Sequence, residues 1–326
     1  MNRILLHDKL QMKIPLLLSL FALLLTMVEG LPSLPWLVDN LQSYRQWKQA
    51  YSIEYASTSE DLFRLMVFIQ NKREIDQHNR LESPYKLGVN QFTAMTHSEF
   101  VQKMSNLRIP SSTRRVEFEE ASQVGVDIDW VKAGAVKPVR SEGQCGASYA
   151  YAALAAIESQ LFIKKKLDVS LSWQQILDCS SSYGNYGCNG GYMTNCFDYA
   201  RDKGLTTESA YPYTATTGKC KINSGDYKVT SYTVVPPGSC NALTNALSQG
   251  PVSIAIDSSQ LQSYHSGIFT CRTPSSPSSG ALMVGQNDQG WKVQMNFGKT
   301  WGVEGYIYLA PGNSCSVCDI ASIPQI

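Results

Sequence analysis

The chain has 326 residues, of which 43% are hydrophobic and 17% are charged, and its formal net charge is +1. This length allows one large domain, or two modest ones, together with processing segments. The near-neutral charge excludes a strongly basic surface, so we expect neither nucleic acid nor an anionic membrane as a partner.

An apolar stretch near the N-terminus predicts a signal peptide at residues 1–30. Lys13 precedes the apolar run from Ile14 to Val28, and Gly30 is a small residue at the expected cleavage site. The run has about 15 residues, whereas a membrane-spanning helix needs about 20. An uncleaved anchor is the alternative. We therefore expect a secretory-pathway protein in an extracellular or lysosome- or vacuole-like compartment, without stable membrane insertion after signal cleavage.

Residues 31–108 predict a mostly helical, cysteine-free segment. One helix is expected over Trp36–Tyr55 and a stronger one over Ser59–Arg80, where apolar residues recur at spacings of three and four. Ser57 and its neighbours precede an acidic first turn, as at a capped helix start. Residues 109–125 are polar without periodicity, which predicts an exposed linker.

Residues 126–326 differ from the preceding segments in composition and in the pattern of apolar residues. The alanine-rich stretch Ser148–Lys165 predicts a buried helix, and short β-type runs follow Pro251. These runs are Val252–Ile256, Ala281–Val284 and Tyr306–Leu309. Helices first and strands later predict an α+β domain of two lobes.

All nine cysteines lie after residue 144, which in an oxidising compartment favours disulfides over metal sites. The same region holds one histidine, His265, and one C-x-x-C pair, Cys315 and Cys318. We therefore expect no metal and no cofactor.

The helical segment carries a spaced motif. It consists of Glu60, Arg64, Phe68, Asn71, Ile75 and Asn79, followed by Gly88, Asn90 and Phe92. This pattern resembles the propeptides of papain-like cysteine proteases of the cathepsin L type, although Ala94 replaces the final aspartate of the second motif. The resemblance implies that residues 31–108 are an inhibitor-type prosegment. It also implies a papain-like domain at 126–326, with a helical lobe and a β-barrel-like lobe.

Two further stretches carry the same resemblance, Trp130–Tyr149 and Trp291–Tyr306. Smaller landmarks between them match as well: Leu171–Asp178, Gly187–Gly191, Tyr211–Tyr213 and Gly267–Phe269. Together they extend the resemblance over nearly the whole chain.

The resemblance assigns four catalytic positions, and none holds the family's residue. Ser148 stands at the nucleophile, Ser279 at the base, Met295 at the group that orients the base, and Glu142 at the oxyanion donor. A hydroxyl is a poor nucleophile without a base, and a thioether cannot hold an imidazole. A carboxylate at Glu142 would repel the developing oxyanion. The substitutions predict a non-catalytic homologue, with no catalytic residue.

The resemblance also implies three disulfides, which join Cys145 to Cys188, Cys179 to Cys220 and Cys271 to Cys318. Cys240 and Cys315 either form a fourth bridge or stay unpaired. Cys196 lies on a helix face with Met193, Phe197 and Ala200, which predicts a buried free thiol.

Three functions remain open. The first is a binding or structural protein of the secretory pathway, with a protein or peptide ligand. The second is an endopeptidase or other hydrolase that uses Ser148, for which His265 is a candidate base. In the third, the prosegment at 31–108 inhibits active cathepsin-like proteases.

Overall fold

The computed structural model describes residues 34–109, 127–273 and 276–326. The predicted signal peptide, and the linker beyond residue 109, lie outside the described residues. The chain divides into two compact units, Met1–Leu65 and Met66–Ile326. Within the described part, no helix is long and apolar enough to cross a membrane.

The first unit contains helix α1, Leu34–Ala50, and the first turns of helix α2, Thr58–Asn79. The Tyr44 hydroxyl donates to Asp61 Oδ1 at 2.7 Å, and Lys48 Nζ donates to the same oxygen at 2.8 Å. These bonds join the two helical segments.

The boundaries of both helices have local causes. Ser57 Oγ accepts a hydrogen bond from the Glu60 backbone N–H at 3.2 Å, as expected for a capped start of α2. Helix α1 ends at Ala50 and does not reach Tyr55, so the prediction was wrong at this end. Ser52 has a φ of 52°, a left-handed conformation that cannot continue a right-handed helix.

The second unit begins within α2 and continues with strand β1, Tyr85–Leu87, and helix α3, His97–Met104. Helix α3 starts with a capping box, in which Glu99 N donates to Thr96 Oγ1 at 3.2 Å and Thr96 N donates to Glu99 Oε2 at 2.8 Å. The capping box fixes the residue at which α3 starts, and residues 105–109 follow the C-terminal end of this helix.

The helical lobe is built around α4, Ser148–Lys165, which is buried on every face from Ser148 to Leu161. An apolar helix without a polar face belongs in a protein core. Helices α5 (Trp173–Cys179) and α6 (Met193–Asp202) contribute to the same core, whereas α7 (Cys240–Ser248) packs in the other lobe. Short 3₁₀ turns occur at Ser181–Tyr183 and Ser314–Ser316.

The strands of the second unit form one sheet in the described residues. After β1 they are β2 (Ile128–Asp129), β3 (Ser231–Val234), β4 (Val252–Ile256), β5 (Tyr264–Phe269), β6 (Ser279–Asn287), β7 (Gly290–Gln294), β8 (Tyr306–Leu309) and β9 (Ala321–Gln325). The spatial order is β1-β5-β8-β7-β6-β4-β9-β3, with β2 beside β6. Every pair is antiparallel except β5 with β8.

Two hydrophobic cores confirm the predicted two-lobed α+β architecture. One surrounds α4, and the other lies against the sheet. Phe92, Phe100 and Met104 belong to the core of the sheet, although they precede the domain predicted at 126–326. Their side chains pack near Phe297, whose ring centroid is 5.6 Å from that of Phe92. This part of the prosegment is therefore integrated into the β lobe.

Four disulfides are present in the described residues. Cys145–Cys188 and Cys179–Cys220 are the pairs that the resemblance implies. Cys240 pairs with Cys318, and Cys271 pairs with Cys315. The implied bridge between Cys271 and Cys318 was therefore wrong, and so was the alternative bridge between Cys240 and Cys315. Cys196 is buried and free, as predicted.

The turn around Cys315 explains why Cys271 pairs with Cys315 and not with Cys318. Cys315 has a left-handed φ of 53°, and its carbonyl accepts from Asp257 N at the end of β4. Cys271 Sγ lies 4.0 Å from the Asp257 carbonyl, so it meets Cys315. The Cys318 carbonyl instead accepts from Gly238 N, which places Cys318 beside the start of α7 at Cys240.

Candidate functional site

Ser148 is the first residue of α4 and is completely buried. Its hydroxyl donates to Asn106 Oδ1 at 2.6 Å and accepts from the Gly280 backbone N–H at 2.8 Å. The hydroxyl therefore uses its one donor and one of its two acceptor sites. Neither partner is a titratable base.

Ser279 begins β6 and is also fully buried. In the described part of the chain its hydroxyl has no hydrogen-bond partner. The next residue, Gly280, allows β6 to approach α4 closely, because a Cβ at this position would lie 2.5 Å from the Ser148 carbonyl oxygen. Helix α4 and strand β6 thus meet backbone to backbone at the site.

Met295 follows β7 directly and has no exposed surface. Its backbone N–H donates to the Gly305 carbonyl at 3.0 Å. Its thioether is at most a weak acceptor, so it cannot orient a charged or neutral imidazole.

Glu142 is buried at the N-terminal end of α4, where Oε2 accepts from Ala147 N at 2.7 Å. Burial raises the Glu142 pKa to about 8, against the opposing effects of the Ala147 hydrogen bond and of Lys103. The group is mostly protonated at neutral pH. Below that pKa the group is a neutral acid, which does not repel an oxyanion as a carboxylate would; the sequence does not show the burial that raises this pKa.

Asn296 is a site residue that the family motif does not predict, because the motif has its asparagine at the position of Met295. It is completely buried, and in the described residues neither its amide nitrogen nor its amide oxygen has a hydrogen-bond partner. Its amide lies close enough to Glu142 to oppose the rise of the Glu142 pKa, although the two side chains do not reach hydrogen-bonding geometry. The sequence does contain a signal for this residue, since Asn296 lies one position after Met295, where the family motif has its asparagine.

The structure brings the four predicted positions together around the first turn of α4. Glu142 bonds to Ala147 through its side chain and to Asn296 through the backbone. Ser279 adjoins the residue that bonds Ser148. His265 is not part of this group. It lies exposed within β5 and forms no hydrogen bond to Ser148, so it is not placed to act as the candidate base.

Asn106 is the second residue that sequence reasoning missed. It lies within the predicted prosegment, 42 positions from Ser148, and no local pattern distinguishes it. Its contact depends on the path of residues 105–109 after α3. Only the folded chain reveals that path.

The fold and this geometry together define a class of protein. It is a protease-like proform with a helical prosegment and a two-lobed domain, whose central helix begins at the site. The chain belongs to the papain family: residues 124–325 match the family described as papain family cysteine protease. Residues 44–100 match the cathepsin propeptide inhibitor domain (I29).

Proteins with cathepsin L names are similar over most of the chain. Cathepsin L 2 of Paramecium tetraurelia is 34% identical over 88% of this chain and 93% of its own length. The cathepsin L-like proteinase of Fasciola hepatica is 36% identical over 88% and 94%. The digestive procathepsin L 3 structure from Tenebrio molitor aligns with a TM-score of 0.82 at 33% identity, covering 90% of this chain and 100% of that one. These comparisons confirm the family resemblance and the papain-like fold.

Proposed function

We propose that this cathepsin L-like homologue is not catalytic and acts in the secretory pathway as a binding or structural protein. One observation carries the proposal: the proton of the Ser148 hydroxyl points to a carboxamide oxygen, Asn106 Oδ1, at 2.6 Å. A carboxamide oxygen does not accept a proton at physiological pH. The hydroxyl is held as a hydrogen-bonding group and not as a nucleophile.

The other groups at the site do not replace the missing base. Ser279 offers a neutral hydroxyl and Met295 a thioether, while Glu142 keeps its own proton at neutral pH. Removal of the members of a catalytic triad typically lowers turnover by about 10⁶. We expect a deficit of that order here.

Neither cysteine near the site offers a substitute nucleophile. Cys145 is bonded to Cys188. Burial raises the pKa of the Cys196 thiol well above its usual range, so this residue is not a thiolate. These two facts weigh against a displaced cysteine mechanism.

Two facts support the proposed compartment and partner class. The four disulfides fit an oxidising compartment, and the relatives carry cathepsin L names. The near-zero net charge fits a protein or peptide ligand better than nucleic acid. The location is secretory, and it is extracellular or lysosome-like.

The test is hydrolysis of a dipeptidyl fluorogenic substrate by the acid-treated full chain, beside an active papain-family protease. Ser148→Ala is the test variant, and Ser253→Ala is its control, because Ser253 is a buried serine within β4. We expect no turnover above that of Ser148→Ala. Turnover that Ser148→Ala abolishes and Ser253→Ala retains would show that the chain is an enzyme.

A further inference from the structure

Two disulfides of the β lobe share a single turn. Cys315 in this turn bonds to Cys271, and Cys318 bonds to Cys240. All four residues belong to the hydrophobic core of the sheet or pack against it. Cys315 and Cys318 form the C-x-x-C pair of the sequence, and a turn brings the Cα atoms of residues three positions apart within about 7 Å. Each of these two cysteines therefore has a second cysteine nearby besides its present partner.

The backbone of this turn is strained. Cys315 has a φ of 53° and Ser316 a φ of 62°, and both values lie in the left-handed region that residues other than glycine rarely adopt. A residue keeps such a conformation only where its surroundings hold it there. At Cys315 the surroundings include the bond to Cys271 and a hydrogen bond from Asp257 N to the Cys315 carbonyl at 2.8 Å. Loss of the bond to Cys271 would therefore allow the turn to relax.

Cys240 is the point at which a reagent from solution reaches these bridges. It is half-buried, whereas Cys271, Cys315 and Cys318 are exposed by 5%, 0% and 1%. Cys240 is also the first residue of α7, and the N-terminal end of a helix attracts a negatively charged thiolate. An approaching thiolate therefore meets Cys240 Sγ before it meets the other three sulfur atoms.

We propose that Cys315 and Cys318 form a thiol–disulfide exchange site, which a low-molecular-weight thiol opens at Cys240. The thiolate attacks Cys240 Sγ, so that a mixed disulfide forms there and Cys318 leaves as a thiolate. The Cys318 thiolate then attacks Cys315 Sγ, which closes the C-x-x-C bridge and expels Cys271 as a thiolate. Cys271 takes up the proton that the added thiol released. Each step forms one S–S bond and breaks one, so no oxidant is needed.

The exchange reaches the neighbourhood of Ser279 through the end of β4. The Cys315 carbonyl, whose direction depends on the strained backbone, accepts from Asp257 N. The next residue, Ser258, donates its backbone N–H to Ser278 Oγ at 3.3 Å, and Ser278 directly precedes Ser279. Relaxation of the turn therefore acts on a segment beside the site. This inference does not depend on whether the chain hydrolyses peptides.

The second step is tested in the variant Cys240→Ser, which leaves Cys318 as a thiol without any added reagent. The free thiols are blocked with N-ethylmaleimide in mild acid, and trypsin then separates peptide Val229–Arg272 from peptide Thr300–Ile326. We expect the label at Cys271 to exceed the label at Cys318 by about tenfold, because the exchange relieves the left-handed strain. A label that stays mostly at Cys318 would overturn the proposal.

Cys188→Ser is the matched control. Cys188 is half-buried like Cys240, and its loss frees Cys145, which belongs to no C-x-x-C pair. The label should stay at Cys145. In both variants the free thiol of Cys196 supplies the internal standard for complete labelling.

The whole reaction is tested in the unaltered chain, which avoids any loss of folding in the variants. The chain is incubated with reduced glutathione, blocked and digested in the same way. We expect peptide Val229–Arg272 to separate from Thr300–Ile326 and to carry one glutathione, at Cys240, and one maleimide, at Cys271. Three results would overturn the proposal. These are no reaction, a maleimide label at Cys318 with the two peptides still joined, and equal reduction of the bridges Cys145–Cys188 and Cys179–Cys220.

Hydrogen exchange, measured amide by amide on the glutathione-treated chain, tests the connection to β4. We expect the Asp257 amide to exchange about tenfold faster than in the untreated chain, the equivalent of one lost hydrogen bond. The Ala255 amide, which donates to the Ile320 carbonyl at 2.8 Å, should exchange at its original rate. An unchanged rate at Asp257 would overturn this connection.

Discussion

Two buried glutamates, in two regions of the papain-like domain, differ in how well they are bonded. Glu158, within α4, accepts from Arg140 through both carboxylate oxygens at 2.8 Å, and Oε1 also accepts from Leu171 N at 2.7 Å. Glu142, at the site, has one bonded oxygen, while Oε1 has no partner in the described residues. Burial raises the pKa of both groups. The Arg140 guanidinium opposes the rise at Glu158, and the Ala147 hydrogen bond and Lys103 oppose it at Glu142.

The comparison extends to the neighbours of each glutamate. Around Glu142, the described residues also leave the Ser279 hydroxyl and the Asn296 amide unpaired. Around Glu158, Arg140 also lies over the Trp173 ring, with its guanidinium 4.6 Å from the centroid. In the described residues, Glu142, Ser279 and Asn296 hold four of the eight buried side-chain atoms without a hydrogen-bond partner, and Trp173, Glu208, Ser253 and Ser322 hold the other four.

The largest expected effect comes from breaking the matched pair. Arg140→Met leaves Glu158 buried without its cation, so we expect the free energy of unfolding to fall by about 3–5 kcal/mol. Urea denaturation at pH 7 measures this change. Lys132→Met is the control, because Lys132 is 83% exposed and its ion pair with Asp129 should contribute less than about 1 kcal/mol. A loss below about 1 kcal/mol for Arg140→Met would contradict the proposed difference between the well-bonded Glu158 and the poorly bonded Glu142.

The next effect is the pH dependence that Glu142 imposes. Its pKa of about 8 in the folded protein lies above the ordinary value of 4.5, so the folded state binds more protons between these values. Stability therefore decreases as the pH rises, by about 2–3 kcal/mol from pH 5 to pH 7. Glu142→Gln should abolish this contribution, as urea denaturation at each pH would show. Identical pH profiles for the two proteins would contradict the assigned pKa.

A smaller effect compares two buried asparagines. Asn185 bonds through both amide atoms, to Ser180 Oγ and to Tyr192 N, each at 3.0 Å. Asn185→Ala should lower the free energy of unfolding by about 1–3 kcal/mol, because it leaves buried groups unpaired. Asn296→Ala removes an amide that is already unpaired, so a change within about 1 kcal/mol is expected. Thermal or urea denaturation compares them directly, and equal losses would show that Asn296 has a partner.

Much of the fold follows from local sequence. The buried helix at Ser148–Lys165 and the capped start of α2 depend on residue spacing and capping, which the chain shows directly. The bridges of Cys271 and Cys240 do not, because Cys315 and Cys318 lie three residues apart and a left-handed turn decides between them.

The site was predictable in its positions but not in its chemistry. Motif alignment located Glu142, Ser148, Ser279 and Met295, which the fold brings together. The charge of Glu142 depends on burial, and the role of Asn106 depends on a contact between residues 42 positions apart. Both properties arise only when distant segments pack.

The central claim is that the scaffold remains while the catalytic groups are gone. The most direct measurement is peptide hydrolysis by a variant that combines Glu142→Gln, Ser148→Cys, Ser279→His and Met295→Asn, beside the unaltered chain and after identical acid treatment. We predict turnover by the combined variant and none by the unaltered chain. Two results would contradict the account. One is turnover by the unaltered chain that Ser148→Ala abolishes, and the other is the absence of turnover by a correctly folded combined variant.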